Sequence, residues 1–243
     1  MTAGLPERLA ALRERIAAAA VRAGRDPAEV TLVAVSKRVS PERIRAAIDA
    51  GQRVFGENYV QEALGKMRAL GAQGGLPPDI RWHLIGRLQR NKARDAVAHF
   101  HSIEVVDRPD LARELDRRAA ARGRVVEVLI QVNLSREPQK AGVPEEELAG
   151  LLARCAALPH LQVVGLMTLP EPAEDPERLR PVFARLRALR DSLRSAPGGG
   201  NLRELSMGMS ADFEVAVEEG ATRVRVGTAL FGPRAGVPEE DRR

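Results

Sequence analysis

The chain has 243 residues, a formal net charge of +5 and only 3% aromatic residues. That length allows one large α/β domain or two small ones, with roughly three quarters of the unfolded surface buried on folding. The charges are interspersed, no basic run carries interleaved aromatics, and no apolar run is long enough to span a bilayer, so neither nucleic-acid binding nor membrane insertion is expected.

Leu5, Leu9, Leu12 and Ile16 recur at helical spacing and predict an N-terminal helix over about residues 6–23, closed by Gly24 and an Asp26-Pro27 turn. Glu7 and Glu14 remove any signal-peptide character, and the neighbouring arginines are expected to pair with them along a solvated face. Val30 to Val35 follows as an apolar run without helical spacing, which reads as a strand buried on both faces and ending at Lys37. Strands are then predicted at 53–55, 80–85, 101–106, 125–133, 161–167, 204–206 and 222–227. Helices are predicted between them at about 41–50, through Val60, Leu64 and Met67, and at 88–98, 109–122, 144–158, 178–194 and 211–219. A loop is expected at 135–142 and a polar tail at 233–243. The single cysteine, Cys155, falls on a predicted helix as an inert buried thiol; it precludes an intrachain disulfide and suits a reducing, cytoplasmic compartment.

Eight strands alternating with helices imply parallel pairing with right-handed crossovers. The turn after Val35 lacks the glycines of an open dinucleotide-binding sheet, so a single closed (β/α)8 TIM barrel over about 30–232 is expected, with the N-terminal helix as an addition. That helix, or the short segment 229–234, is expected to cover the gap after the last strand.

Polar residues that packing does not readily explain collect at the C-terminal strand ends: Lys37, Asn58, His83, Asn133, Ser206 and Arg225, with Gly227-Thr228 beyond. In a barrel this is the ligand-binding face. Each has a plainer reading. Lys37 could pair or snorkel at a strand end, Asn58 could cap a helix with Gln61 completing a capping box, and His83 could be a satisfied core histidine. Ser210 could cap the next helix, and Arg225 could form a surface ion pair. His99, His101 and His160 have no metal-site spacing. Lys37 gains weight from scarcity: of 38 basic residues only four are lysines, at 37, 66, 92 and 140. An amine can lose its proton and condense with an aldehyde, which a guanidinium cannot readily do. Ser206-Met207-Gly208-Met209-Ser210 and Gly227-Thr228 offer hydroxyls and closely approachable amides, as phosphate cups after strands seven and eight of barrels do. A lysine facing such a cup suits pyridoxal 5′-phosphate, and Arg225 beside the pyridine nitrogen would disfavour its protonation.

Seven segments in order resemble the pyridoxal-phosphate homeostasis protein family, which is related to the barrel domain of alanine racemases. They are 33–37 (VAVSK), 55–62 (FGENYVQE), 82–92 (WHLIGRLQRNK), 131–133 (QVN), 165–167 (GLM), 205–210 (LSMGMS) and 225–232 (RVGTALFG). The resemblance implies an internal aldimine on Lys37, phosphate contacts from Ser206, Gly227 and Thr228, and Arg225 at the pyridine nitrogen. Asn58 is implied beside the ring, with His83, Met207, Gly208 and Ser210 nearby. It implies reversible holding of the cofactor for homeostasis with little turnover, with the cofactor and pyridoxal-phosphate-dependent apoenzymes as partners, in a chain expected to act as a monomer. The competing reading is an amino-acid racemase. Such enzymes take a tyrosine from a second domain, whereas Tyr59 is the only tyrosine here and the sequence reaches Arg243 soon after the eighth strand. A Schiff-base aldolase without pyridoxal phosphate is a third reading.

Overall fold

In the computed structural model, the described residues are 4–72, 74–135 and 141–232. The expected loop falls partly, and the polar tail wholly, outside them. The strands are β1 (Thr31–Val35), β2 (Val54–Glu57), β3 (Arg81–Leu84), β4 (Ser102–Val106), β5 (Val126–Asn133), a two-residue β6 (Val143–Pro144), β7 (Leu161–Met167), β8 (Glu204–Ser206) and β9 (Arg223–Val226). They pair in parallel in the order β4-β3-β2-β1-β9-β8-β7-β5, and β4 also pairs with β5, so eight strands close a barrel. The short β6 pairs with the end of β5.

The helices are α1 (Leu5–Arg22), α2 (Pro41–Asp49), α3 (Val60–Ala72), α4 (Ala93–His99), α5 (Pro109–Ala120), α6 (Leu148–Ala156), α7 (Arg180–Leu193), α8 (Phe213–Glu218) and α9 (Thr228–Phe231). Proline opens α2 and α5, where its missing N–H costs no intrahelical bond. Three of the helices that are shorter than expected share one cause. Their first turns are 3₁₀ segments, Arg90–Lys92 before α4, Glu145–Glu147 before α6 and Pro176–Leu179 before α7. Over one turn, apolar spacing cannot separate 3₁₀ from α.

α1 buries Leu9, Leu12, Ile16, Ala19 and Ala20, and packs on α2, α8 and α9. Each buried Leu or Ile is worth about 1.5–3 kcal/mol. Two of its arginines pair across to α8 rather than along the helix: Arg15 reaches Glu214 at 3.0 Å and Arg22 reaches Glu218 at 2.7 Å. Parallel packing of two helices puts the opposite charge across the interface instead. α1 and α9 thus cover the gap after β9. Arg8 Nε donates to the Leu230 carbonyl at 2.7 Å, and Arg43 of α2 donates to that of Phe231.

Outward strand residues such as Ala34, Phe55, Trp82 and Ile103 form the core between barrel and helices, with the Phe55 and Trp82 rings 5.3 Å apart. Cys155 is buried there, and burial pushes its thiol up to about 11, as an inert cysteine requires. His101, just before β4, accepts the Trp82 amide on Nδ1 at 3.1 Å. Burial, then the charge of Arg81, hold it at about 4 rather than 6.5. The unfolded chain therefore takes up this proton first as pH falls from about 6.5 to 4, and stability is lost across that window. We expect the unfolding free energy to drop by about 1 kcal/mol at pH 5 after allowance for partial exposure. His101→Asn, whose amide oxygen can take the place of Nδ1, should flatten that part of the pH profile in thermal melts.

Candidate functional site at the barrel mouth

The barrel interior is polar where branched apolar layers are usual. Alternation along β9 turns Arg223 and Arg225 inward. Arg223 donates to Ser102 Oγ at 2.9 Å, Glu104 Oε1 at 3.1 Å, Glu127 Oε1 at 2.7 Å and Glu204 Oε2 at 3.2 Å. Glu104, wholly buried, also accepts from His83 Nδ1 at 2.7 Å and Ser206 Oγ at 2.5 Å. Burial alone would raise this carboxyl, but the His83 hydrogen bond, the Arg223 charge and the Ser206 hydroxyl outweigh it and hold Glu104 well below the carboxylate range. An ionised Glu104 in turn keeps the proton of His83 on Nδ1. Arg225 donates to Ser206 Oγ at 2.7 Å and to the Thr168 carbonyl at 2.8 Å. Burial lowers its pKa, against the pull of Glu104 and Asp212.

Above this layer the chain ends of β1 and β9 lie side by side. Thr31 to Ala34 pair with Arg223 to Val226, and a Cβ on Gly227 would touch Val35 at 3.4 Å. Half-buried Lys37 therefore stands, two residues past Val35, next to the strand end that carries Gly227. Ser210 does not cap α8, which starts at Phe213 after Asp212. Its Oγ instead accepts the amides of Gly227 and Ala229 at 3.3 and 3.4 Å, contacts longer than an ordinary N–H···O bond. The loop that brings Ser210 there is tied down by Arg225 N donating to Gly208 O at 2.9 Å. It needs glycine at 208, where φ is +91° and a Cβ would lie 2.5 Å from that of Ala216. Thr228 is exposed beside it, and the Met207 side chain is wholly buried in the core.

Asn58 follows β2 and is half-buried. Since α3 begins at Val60 and the Gln61 amide reaches Asp95 at 3.4 Å, the Asn58–Gln61 capping box is not formed. Gly86 allows the loop after β3 to press on Asn58: a Cβ there would sit 2.4 Å from the Asn58 carbonyl oxygen. A cavity of about 540 Å³ opens beside it, lined by Asn58, Tyr59, Arg87, Leu88 and Lys92 among others. Tyr59 is 62% exposed. Asn133 takes a local role, its Oδ1 accepting from the Ser135 amide and hydroxyl at 3.1 and 2.8 Å.

The predicted site residues thus fall into two tiers. Lys37, Asn58, Ser210, Gly227 and Thr228 reach the mouth, while His83, Ser206 and Arg225 form one hydrogen-bonded set beneath it with Glu104. Sequence reasoning missed Glu104 and Arg223. Their signal is a polar or charged group at every second residue within apolar strands, in Ser102-Ile103-Glu104-Val105 and Arg223-Val224-Arg225-Val226. Among the described residues no group of His, Cys, Asp and Glu could hold a metal ion, and no helix is long and apolar enough to cross a membrane.

A closed parallel barrel with its polar groups at the C-terminal mouth, one lysine among them, defines the class of the alanine racemase N-terminal domain, whose family profile matches residues 8–235. The barrel of the Corynebacterium glutamicum alanine racemase superposes with a TM-score of 0.62 at 22% identity, covering 95% of this chain and 64% of that one. Within that class the chain belongs to the pyridoxal phosphate homeostasis protein family. It is 47% identical over 228 residues to the pyridoxal phosphate homeostasis protein of Aquifex aeolicus, covering 94% of this chain and 97% of that one. It is 43% identical over 229 residues to the Escherichia coli K12 protein of the same name, with 93% and 95% covered. The structure of PipY from Synechococcus elongatus, described as having PLP bound, matches with a TM-score of 0.83 at 42% identity, covering 94% of this chain and all of that one.

Proposed function

We propose that this chain binds pyridoxal 5′-phosphate at the barrel mouth and holds it reversibly, keeping a reactive aldehyde in check with little or no turnover. The observation that supports the reading is the juxtaposition of the β1 and β9 ends, which brings the turn carrying Lys37 to the strand end where the Gly227 and Ala229 amides meet the Ser210 hydroxyl. This donor set fits the cofactor: an amine for its aldehyde, and amides and hydroxyls for its phosphate. When bound, the cofactor supplies an aldehyde that an amine can capture covalently and release by hydrolysis. Lys37 is assigned that linkage. Gly227, Thr228 and Ser210 hold the phosphate, joined by the Gly208 amide, since the Ser206 hydroxyl is already shared between Glu104 and Arg225 and the Met207 amide donates to the Arg223 carbonyl. Arg225 faces the pyridine nitrogen as a donor that keeps it unprotonated, while Asn58 and His83 flank the ring. We place the protein in the cytoplasm as a monomer that exchanges its cofactor with pyridoxal-phosphate-dependent apoenzymes.

A racemase needs a second acid–base group opposite the lysine, and the exposed Tyr59 ring does not favour that role. The test is direct. Apoprotein titrated with pyridoxal phosphate should gain a visible absorption band, and borohydride should convert it to one pyridoxyl group that peptide mapping locates on Lys37. An adduct elsewhere, or none, rejects the assignment. Sustained turnover of L-amino acids above that of free cofactor rejects the holding role.

A further inference from the structure

The turn that carries Lys37 is gripped from behind, on the side away from the barrel interior. Ser36 Oγ donates to Glu57 Oε1 at 2.7 Å, and the Ser36 carbonyl accepts from Lys66 Nζ at 2.5 Å. Lys66, on α3, also donates to Glu57 Oε1 at 2.8 Å and to Glu62 Oε1 at 2.6 Å. Glu62 Oε1 accepts the backbone amide of Arg38 at 2.5 Å. The residues on both sides of Lys37 are thus tied to one ammonium and two carboxylates. Lys66 is 7% exposed and Glu57 wholly buried, so these charges are held out of water. Arg38 is the sole described residue other than glycine with positive φ, at +59°, a conformation side chains rarely adopt unless their surroundings impose it.

We infer that Glu57, Lys66 and Glu62 form a clamp that fixes the Ser36–Arg38 turn, with Lys66 as the positioning residue that aims the Lys37 amine at the cofactor aldehyde. The inference rests on the cofactor reading above. It also accounts for a second of the four scarce lysines. Three oxygens, from Ser36, Glu57 and Glu62, surround one nitrogen, and an ammonium has three N–H groups to meet them. A planar guanidinium spreads its donors over a fork and cannot replace it in that space. Charge adds to the geometry unevenly: at Glu57 burial outweighs the pull of Lys66 and leaves the carboxyl raised, while at Glu62 the Lys66 hydrogen bond and the Arg38 amide outweigh burial and lower it.

The experiment compares Lys66→Arg, Glu62→Ala and Glu62→Ala/Arg38→Gly with the unaltered protein. Two ligands are titrated: pyridoxal phosphate, and pyridoxine phosphate, which carries the same phosphate and ring but no aldehyde. Lys66→Arg and Glu62→Ala should weaken pyridoxal phosphate binding at least tenfold and slow borohydride trapping on Lys37, while pyridoxine phosphate binding stays within about twofold. Adding Arg38→Gly to Glu62→Ala should restore most of the loss, because glycine takes the left-handed conformation without help. Binding of both ligands unchanged in Lys66→Arg and Glu62→Ala overturns the clamp, as do equal losses for the two ligands or a failed rescue. Should Lys66→Arg fail to fold, the partly exposed Glu62 pair decides the matter. Absence of a pyridoxyl group on Lys37 in the unaltered protein rejects the cofactor reading itself, whereas its presence with indifferent variants rejects only the clamp.

Discussion

Lys37→Ala should abolish both the visible absorption band and the borohydride-trapped pyridoxyl group while leaving a folded barrel. The side chain is half-buried at the mouth and outside the apolar core, so its removal should cost about 1 kcal/mol or less of stability, read as a small change in unfolding midpoint. The amides at Gly227 and Ala229 and the Ser210 hydroxyl are untouched, so the variant should still bind pyridoxine phosphate. It should bind pyridoxal phosphate no better than that analogue. A variant that keeps the band would place the covalent linkage on another amine.

The largest loss of stability is expected inside the barrel. Arg223→Met removes the cation shared by Glu104, Glu127 and Glu204 and leaves Glu104 ionised without it in a wholly buried position. Stranding a buried charge in this way costs roughly 3–5 kcal/mol. Urea titration at neutral pH should show it as a lower midpoint with an unchanged slope. Adding Glu104→Gln should return part of the loss, since a neutral amide no longer needs the cation. The sign with pH follows from Glu104 being depressed in the folded state. Its contribution is present above the ordinary carboxyl value near 4.5 and is lost as pH falls toward the much lower folded value, so acid destabilises the unaltered protein. With Arg223 gone that acid dependence should shrink. Ser206 bridges Glu104 to Arg225, so the double variant should also loosen the groups beneath the mouth and weaken pyridoxine phosphate binding.

Much of this is legible in the sequence alone. Alternating strand and helix patterns carry the barrel, because parallel neighbours require crossovers and eight such units close. Lys37, Gly227 and Ser210 could be placed on one rim because each follows a strand's C-terminal end. The helices after β3, β5 and β7 start later than apolar spacing predicts, because a 3₁₀ turn keeps the same spacing for about three residues. The bland reading of Ser210 failed because its hydroxyl is met by amides 17 and 19 residues ahead of it.

By itself, then, the sequence determined the layout: which segments are strands, that they run parallel, and that a scarce amine and a glycine- and serine-rich pair of turns share one end. Only the tertiary structure decided partnership. Period-two alternation puts Glu104, Ser206, Arg223 and Arg225 on one face of their strands, but nothing local says that this face is the inside. Barrel closure brings β4 across from β9, so that Glu104 and Arg223 meet over 119 residues of sequence. Packing of α3 against β2 likewise delivers Lys66 to the back of the Lys37 turn. A buried charge must find its counter-charge wherever closure places one, and that place is a property of the closed barrel rather than of any segment in it.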